Sequence, residues 1–259
     1  MDAASPAPIE ISEARSIGSE DLRWALRQGW ADYRARRGEL LLLPLIYVLG
    51  GVFAGLLAFN ASLFPFFYPL AAGFALVGPI AAAGFYELAR RRDAGEPSQW
   101  NHFFDPFIGR TRWPMIGLSA VLAGLFLCWL WVAGTILDQT LATLGPVAQR
   151  DFLSSLFTTP EGLRLVLIGN AAGAVFALAA LAISTVSVPM VVDKATRPVP
   201  AIATSLAVFH KNPGTMLRWG LTVAVILLLA SIPLFVGLMV ALPVLGYATW
   251  HLYTRAVVR

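Results

Sequence analysis

The sequence predicts an all-α integral membrane protein, with six membrane-spanning helices and short amphipathic helices lying at the interface between them. Three observations carry that prediction. Of the 259 residues, 58% are hydrophobic and 13% charged; average soluble domains have roughly 45–50% and about 25%, so a water-exposed surface could not be assembled from so few charges. The apolar residues gather into runs long enough to cross a bilayer core, about 20 residues each, and the middles of those runs hold no Asp, Glu, Lys or Arg. Finally, seventeen of the nineteen Lys and Arg residues fall on one side once the runs are threaded through a membrane.

The chain divides into an N-terminal segment, residues 1–38, and a transmembrane domain, residues 39–259. Within the first, Ser19–Arg37 places Leu22, Leu26, Trp30 and Tyr33 along one helical face and Arg23, Arg27 and Arg34 elsewhere, the pattern of an interfacial amphipathic helix. The first apolar run is Leu40–Phe59, followed by a turn at Asn60-Ala61-Ser62 and a second run, Leu63–Leu88, that stops at Arg90-Arg91-Arg92. With acidic and basic residues ahead of it and no cleavage site nearby, the first run is expected to be a span rather than a signal peptide.

A weaker interfacial segment, Gln99–Phe107 with Trp100, Phe103, Phe104 and Phe107, leads to the third run, Met115–Leu137. Asp151–Thr158 is expected to lie on the far surface as a short helix. Thr159-Pro160-Glu161-Gly162 reads as an N-cap, a first-position proline and an acid in the first turn, opening a fourth span over Leu163–Val192. Pro200–Lys211, with Ile202, Leu206 and Phe209, is a further interfacial helix. The last stretch, with Asn212 as cap and Pro213 at the first helical position, fits a tight helical hairpin turning near Ser231-Ile232-Pro233.

This threading fixes an orientation. Arg15, Arg23, Arg27, Arg34, Arg36 and Arg37 precede the first span. Arg90, Arg91, Arg92, Arg110 and Arg112 separate the second and third. Lys194, Arg197, Lys211 and Arg218 lie between the fourth and fifth, and Arg255 and Arg259 follow the sixth. Only Arg150 and Arg164 lie opposite. Loops rich in Lys and Arg stay in the cytoplasm, so both termini are expected there, and Trp24, Trp30, Trp100, Trp113, Trp219 and Trp250 would form the aromatic belt on that side.

An interfacial helix precedes each pair of spans, so the chain reads as three copies of one unit. The first and third copies align Pro79 with Pro243, Tyr86 with Trp250 and Glu87 with His251; the second fits poorly because Pro189 comes at the end of a longer helix. Independent hairpins with similar interface chemistry are the alternative. Gly51-x-x-x-Gly55 and Gly169-x-x-x-Gly173-x-x-x-Ala177 allow close helix approach.

The chemistry-bearing residues are few. Glu87 and His251 each sit within a turn of a cytoplasmic helix end and could pair; the alternative is that each marks the water boundary. Asn170 is the strongly polar side chain inside a span, followed by Ser184, Thr185 and Ser187. Asp193 closes the candidate set, which is Glu87, Asn170, Asp193 and His251. A surface metal site combining His102, His210 and His251 with Glu87 and Asp193 lacks any metal-binding spacing, and no histidine lies mid-membrane as haem would require. Cys128 is the single cysteine. No P-loop, dinucleotide fingerprint or G-x-S-x-G is visible. The expectation is a protein without catalytic, cofactor or metal sites, with membrane lipids as partners, other membrane proteins or further copies of itself as potential partners, and no role for nucleic acid.

Val186-Ser187-Val188-Pro189-Met190-Val191-Val192-Asp193, then Ala201-Ile202, Ser205, Asn212-Pro213 and Met216-Leu217, and the ending Pro243-x-x-Gly246-x-Ala248-Thr249-Trp250-His251-x-Tyr253, together with Ala25-Leu26-x-x-Gly29-Trp30, resemble an uncharacterised bacterial family of predicted integral membrane proteins, domain of unknown function 2189. The resemblance implies a bacterial inner-membrane location and no known activity. Some members of that family carry the label of cytochrome c oxidase components; without mid-membrane histidines this chain would fill only an accessory role there. The expected function is a non-catalytic scaffold or accessory subunit of a membrane complex. The alternative is a lipid or small-molecule transporter using the Asn170 face and the breaks at Pro79, Pro189 and Pro243.

Overall fold

The computed structural model describes residues 11–36, 49, 78–144, 149–233 and 235–259. Apart from Leu49, the predicted run Leu40–Phe59 lies outside the described residues, as do most of Leu63–Leu88 and the Gly51–Gly55 pair. What is described is helical, with short links and one isolated antiparallel bridge between Ala14 and Val257.

In chain order the helices are α1 (Ser19–Arg36), α2 (Ala83–Asp93), a 3-10 turn (Trp100–Phe104) running into α3 (Asp105–Ile108), α4 (Arg112–Leu144), α5 (Gln149–Thr158), α6 (Pro160–Lys194), α7 (Pro198–Lys211), α8 (Pro213–Ser231) and α9 (Leu238–Ala256). Three of them contain stretches long and apolar enough to cross a membrane, Arg112–Thr140, Pro160–Lys194 and Pro213–Ser231. The protein is therefore an all-α, multi-pass membrane protein, with three such helices among the described residues where the sequence predicted six spans. Two of the missing spans fall largely outside the described residues. The predicted sixth, α9, is helical, but Trp250, His251, Thr254 and Arg255 crowd its second half and dilute its hydropathy.

Local signals explain the boundaries. Thr159 caps α6, its hydroxyl oxygen accepting from the Gly162 amide at 3.0 Å, with Pro160 at the first helical position. Gly162 lies against the Ser155 backbone of α5, closing the corner between the two helices. α6 ends at Ala195 in the left-handed conformation, φ 51°. The predicted hairpin is present: α8 ends at Ser231, and Phe235 at φ 64° turns the chain into α9. At 1.5 Å per residue, α4 and α6 are each about 50 Å long, so both reach beyond a hydrocarbon core of about 30 Å or tilt within it.

α2, α6 and α9, which fall in the predicted second, fourth and sixth spans, all touch one another, while α4 and α8 flank them. Each of the three carries a short helix: the 3-10 turn and α3 lie on α2, α7 lies on α6, and α1 lies on α9. The first helix of the chain thereby closes on the last.

The apolar face predicted for α1 needs correction. Leu22 and Tyr33 are buried, but Trp30 is exposed and the contact face runs through Ala25, Gly29 and Asp32 against α9. A Cβ on Gly29 would stand 2.5 Å from the Val244 carbonyl oxygen and 2.7 Å from the Ala248 nitrogen, so small residues, not large apolar ones, set the crossing. On α7, likewise, Leu206 is exposed and Ala201, Thr204, Ser205 and Val208 are buried.

Inside α6, Pro189 supplies no N–H and crowds the carbonyl one turn earlier. In the preceding turn Ser205 Oγ enters the helix ladder from α7, donating to the Ala182 carbonyl (2.7 Å) and accepting from the Val186 amide (3.2 Å). Such insertion is a known cause of helix bending. The main hydrophobic core gathers where α1, α2, α6, α7 and α9 converge, around Phe85, Met115, Val188, Trp219, Trp250 and Tyr253. A second cluster of Trp129, Ala133 and Ala180 joins α4 to α6.

Candidate functional site

The basic segments that the sequence assigned to one side meet at one end of the helices. Arg15 N–H donates to the Ala256 carbonyl (2.8 Å) and Val258 N–H to the Glu13 carbonyl (3.0 Å), joining the two ends of the chain. Lys211 Nζ reaches the Ala14 carbonyl at 2.7 Å, and Lys194 Nζ the Val258 carbonyl at 3.5 Å. Asn212 anticipates the start of α8, yet its side chain serves the N-terminal segment: Oδ1 accepts from Ile17 N–H (2.9 Å), and Nδ2 donates to the Arg15 and Val208 carbonyls.

Buried acids organise this end. Glu87, 5% exposed on α2, accepts from Arg90 Nε and Nη2 (both 2.8 Å) and from Arg91 Nε (2.7 Å). Burying a carboxylate demands this degree of pairing. Arg90 also donates to Glu96 at 3.1 Å, and Arg91 continues to Asp105 at 2.7 Å, which in turn holds His102 at 3.0 Å. The Glu87 hydrogen bonds raise the Arg90 pKa above its already high value, against desolvation, so that guanidinium stays charged at every accessible pH.

His251 has a different partner. Its Nε2 lies 2.8 Å from Asp32 Oδ2 on α1, and the other oxygen of Asp32 holds Arg92 at 2.9 Å. An ionised carboxylate only accepts, so Nε2 carries the hydrogen in that pairing. Trp24 meets the imidazole edge-on at 5.6 Å, and Arg255 lies over the Trp24 ring, 4.1 Å from its centre. Asp193, at the end of α6, accepts from the Tyr253 hydroxyl (2.8 Å) and from Arg259 through Nε and Nη2 (3.0 and 2.9 Å). That carboxylate raises the Arg259 pKa. Trp250 Nε1 donates to Asp93 at 2.7 Å.

Glu87 and His251 therefore sit at the same end of the molecule, each paired to other residues: arginines for Glu87, Asp32 for His251. Asn170 lies on an exposed face of α6, with Nδ2 donating to the Val166 carbonyl at 2.7 Å. Ser184, Thr185 and Ser187 donate to carbonyls of their own helix at 2.6–2.7 Å. The conceivable metal set is not assembled: His102 and His251 belong to separate pairs, and no cluster of three His, Cys, Asp or Glu occurs among the described residues. Sequence reasoning missed Asp32 and Asp93 as partners because their counterparts His251 and Trp250 lie 219 and 157 residues away, and it missed Asp105 although His102 and Arg91 are only 3 and 14 residues off.

A cavity opens on this network. It holds about 400 Å³ and is lined by Glu87, Arg90, Arg91, Asp105, Arg110 and Thr111 among others.

No curated protein and no solved structure matches the chain. Residues 67–193, covering α4, α5 and most of α6 together with α2 and the cavity lining, match the family described as a predicted integral membrane protein, DUF2189, the family that the sequence resembles.

Proposed function

We propose that this protein is a non-catalytic scaffold or accessory subunit of a bacterial inner-membrane complex, with six spans and both termini in the cytoplasm. The observation that carries the reading is how the acids at the basic end are used. Asp21, Asp32, Glu87, Asp93, Asp105 and Asp193 each accept from Arg, His, Trp or Tyr side chains, several of them far away in sequence. Those bonds tie α1, the ends of α2, α6 and α9 and the C-terminal residue Arg259 into one body, which suits a protein whose task is to present a shape. Large apolar side chains on α8, including Leu221, Leu228 and Leu229, are exposed and supply a face for a neighbouring helix.

Photo-crosslinking residues placed at Leu221 and Leu228 test this in the living membrane. The expected result is a discrete adduct with one other membrane protein, at a yield that follows its abundance. Adducts with lipid or with this chain alone would overturn the scaffold reading. Reporter fusions after Arg259 and near Gln149 should read cytoplasmic and external respectively, and the reverse pattern would overturn the orientation.

A further inference from the structure

The link between α2 and α4 combines three properties. It is apolar at its surface: Trp100, Phe104, Phe107, Ile108 and Trp113 are all exposed, Trp113 at 72%. It is basic, with Arg110 exposed and Arg112 lying over the Trp113 ring at 5.1 Å. It also walls the 400 Å³ cavity. Contiguous exposed aromatics on a water-facing surface would be an aggregation hazard. Here the chain enters the membrane-spanning stretch Arg112–Thr140 directly after them, which fixes the link at the boundary between lipid and water, where Trp-rich belts lie. The bilayer is thus what these side chains meet, and the cavity opens at the level of the lipid headgroups.

The charges of the cavity select among headgroups. Three guanidinium groups, from Arg90, Arg91 and Arg110, face two carboxylates, from Glu87 and Asp105. Glu87 is already occupied on both oxygens, and Asp105 Oδ2 takes Arg91 and His102. A guanidinium has five N–H donors. Arg90 spends Nε and Nη2 on Glu87 and Glu96, and the one bond described for Arg110 is a 3.4 Å contact to the Asp193 carbonyl. Donors remain on Arg90 and Arg110 while both Glu87 oxygens and Asp105 Oδ2 are taken; the lining residues carry one net positive charge, with Glu96 pairing Arg90 from outside the lining, and the positive end of the α4 dipole lies at the wall. A volume of about 400 Å³ lies within the range of small-ligand sites.

We propose that this cavity is a binding site for the phosphate headgroup of an anionic glycerophospholipid. Arg110 and Arg90 would donate to the phosphate oxygens, the aromatic residues of the link would sit among neighbouring headgroups, and the acyl chains would descend along the exposed α4 face at Ile116 and Val121. The proposal rests on the membrane position of α4 and is independent of any protein partner, so the crosslinking experiment can fail without touching it.

The test uses the full-length protein in lipid nanodiscs with spin-labelled phosphatidylglycerol and phosphatidylcholine, reading the motionally restricted fraction of each. Phosphatidylglycerol should be preferred by about fivefold, corresponding to about 1 kcal/mol for one basic residue near the surface. R110Q should bring the preference close to unity and R110K should retain part of it. R218Q, whose arginine contacts Ser19 away from the cavity, should leave it unchanged. Arg110 is exposed with a single long bond, so R110Q should fold, and its elution volume and thermal midpoint check this. Equal restriction of the two lipids, or an undiminished preference in R110Q, would overturn the proposal. Loss of the preference on adding inorganic phosphate at constant ionic strength would assign the cavity to a soluble anion and overturn it equally.

Discussion

Gly29→Ala probes the close crossing of α1 over α9. The added methyl would meet the Val244 carbonyl oxygen at 2.5 Å, the Ala248 nitrogen at 2.7 Å and the Ala248 Cβ at 2.9 Å. Two of the three are backbone atoms, so no rotamer change relieves the clash. Because real Cβ contacts essentially never fall below 3.0 Å, α1 must shift from α9, loosening the Asp32–His251 bond. Overpacking of this kind costs about 1–3 kcal/mol, and the upper end applies where backbone is the obstacle. Replacing glycine inside a helix returns about 1 kcal/mol, leaving a net loss of about 2 kcal/mol. For a chain of this size that corresponds to a fall in Tm of about 4–8 °C. Intrinsic tryptophan fluorescence during a thermal ramp reads it, since Trp24 packs on the same contact. Gly124→Ala is the control: nothing lies within 4 Å of its Cβ position, and its Tm should hold or rise slightly. A Gly29→Ala midpoint within about 1 °C of the parent, or above it, would refute the close crossing.

Glu87→Gln removes the counter-charge of two arginines that are each about one-fifth exposed. Breaking a fully buried pair costs about 3–5 kcal/mol; with water reaching the arginines, about 1–3 kcal/mol is expected, measured as a lower Tm that added salt does little to change. Ser205→Ala should be mild, below about 1 kcal/mol, because the Val186 amide and Ala182 carbonyl it separates can bond to each other. Ser205→Leu should be far more costly by the same measurement, since position 205 is 1% exposed against α6.

Local chemistry made much of this fold readable. The Thr159-Pro160 start, the hairpin near Pro233 and the extents of α1 and α7 follow from capping residues, prolines and periodic apolar residues within a few positions of one another. The burial of α1 did not follow, because large apolar residues dominate any reading of a helical face, whereas Gly29 and Ala25 win the contact by being small. Glu87 was legible as an acid within a turn of a helix end, not as a buried one, and its arginine partners are neighbours in sequence. His251 was equally legible, but Asp32 stands in a different helix with no local signal linking the two. Asn212 was recognised by position as a helix start, while its amide holds Arg15 and Ile17 at the far end of the chain.

The closing of α1 over α9 has a consequence in time. The Asp32–His251 pair spans 219 residues, and at about 5–20 residues per second of synthesis the first helix waits on the order of 10–40 s before its docking site exists. During that interval Ala25, Gly29 and Leu22 have no protein to cover them. Arg23, Arg27 and Arg34 on the other face suit α1 to rest meanwhile on an anionic membrane surface. Ribosomes halted before residue 238 would then leave α1 lipid-bound and open to protease, and completion of the last helix would be the event that latches the whole molecule.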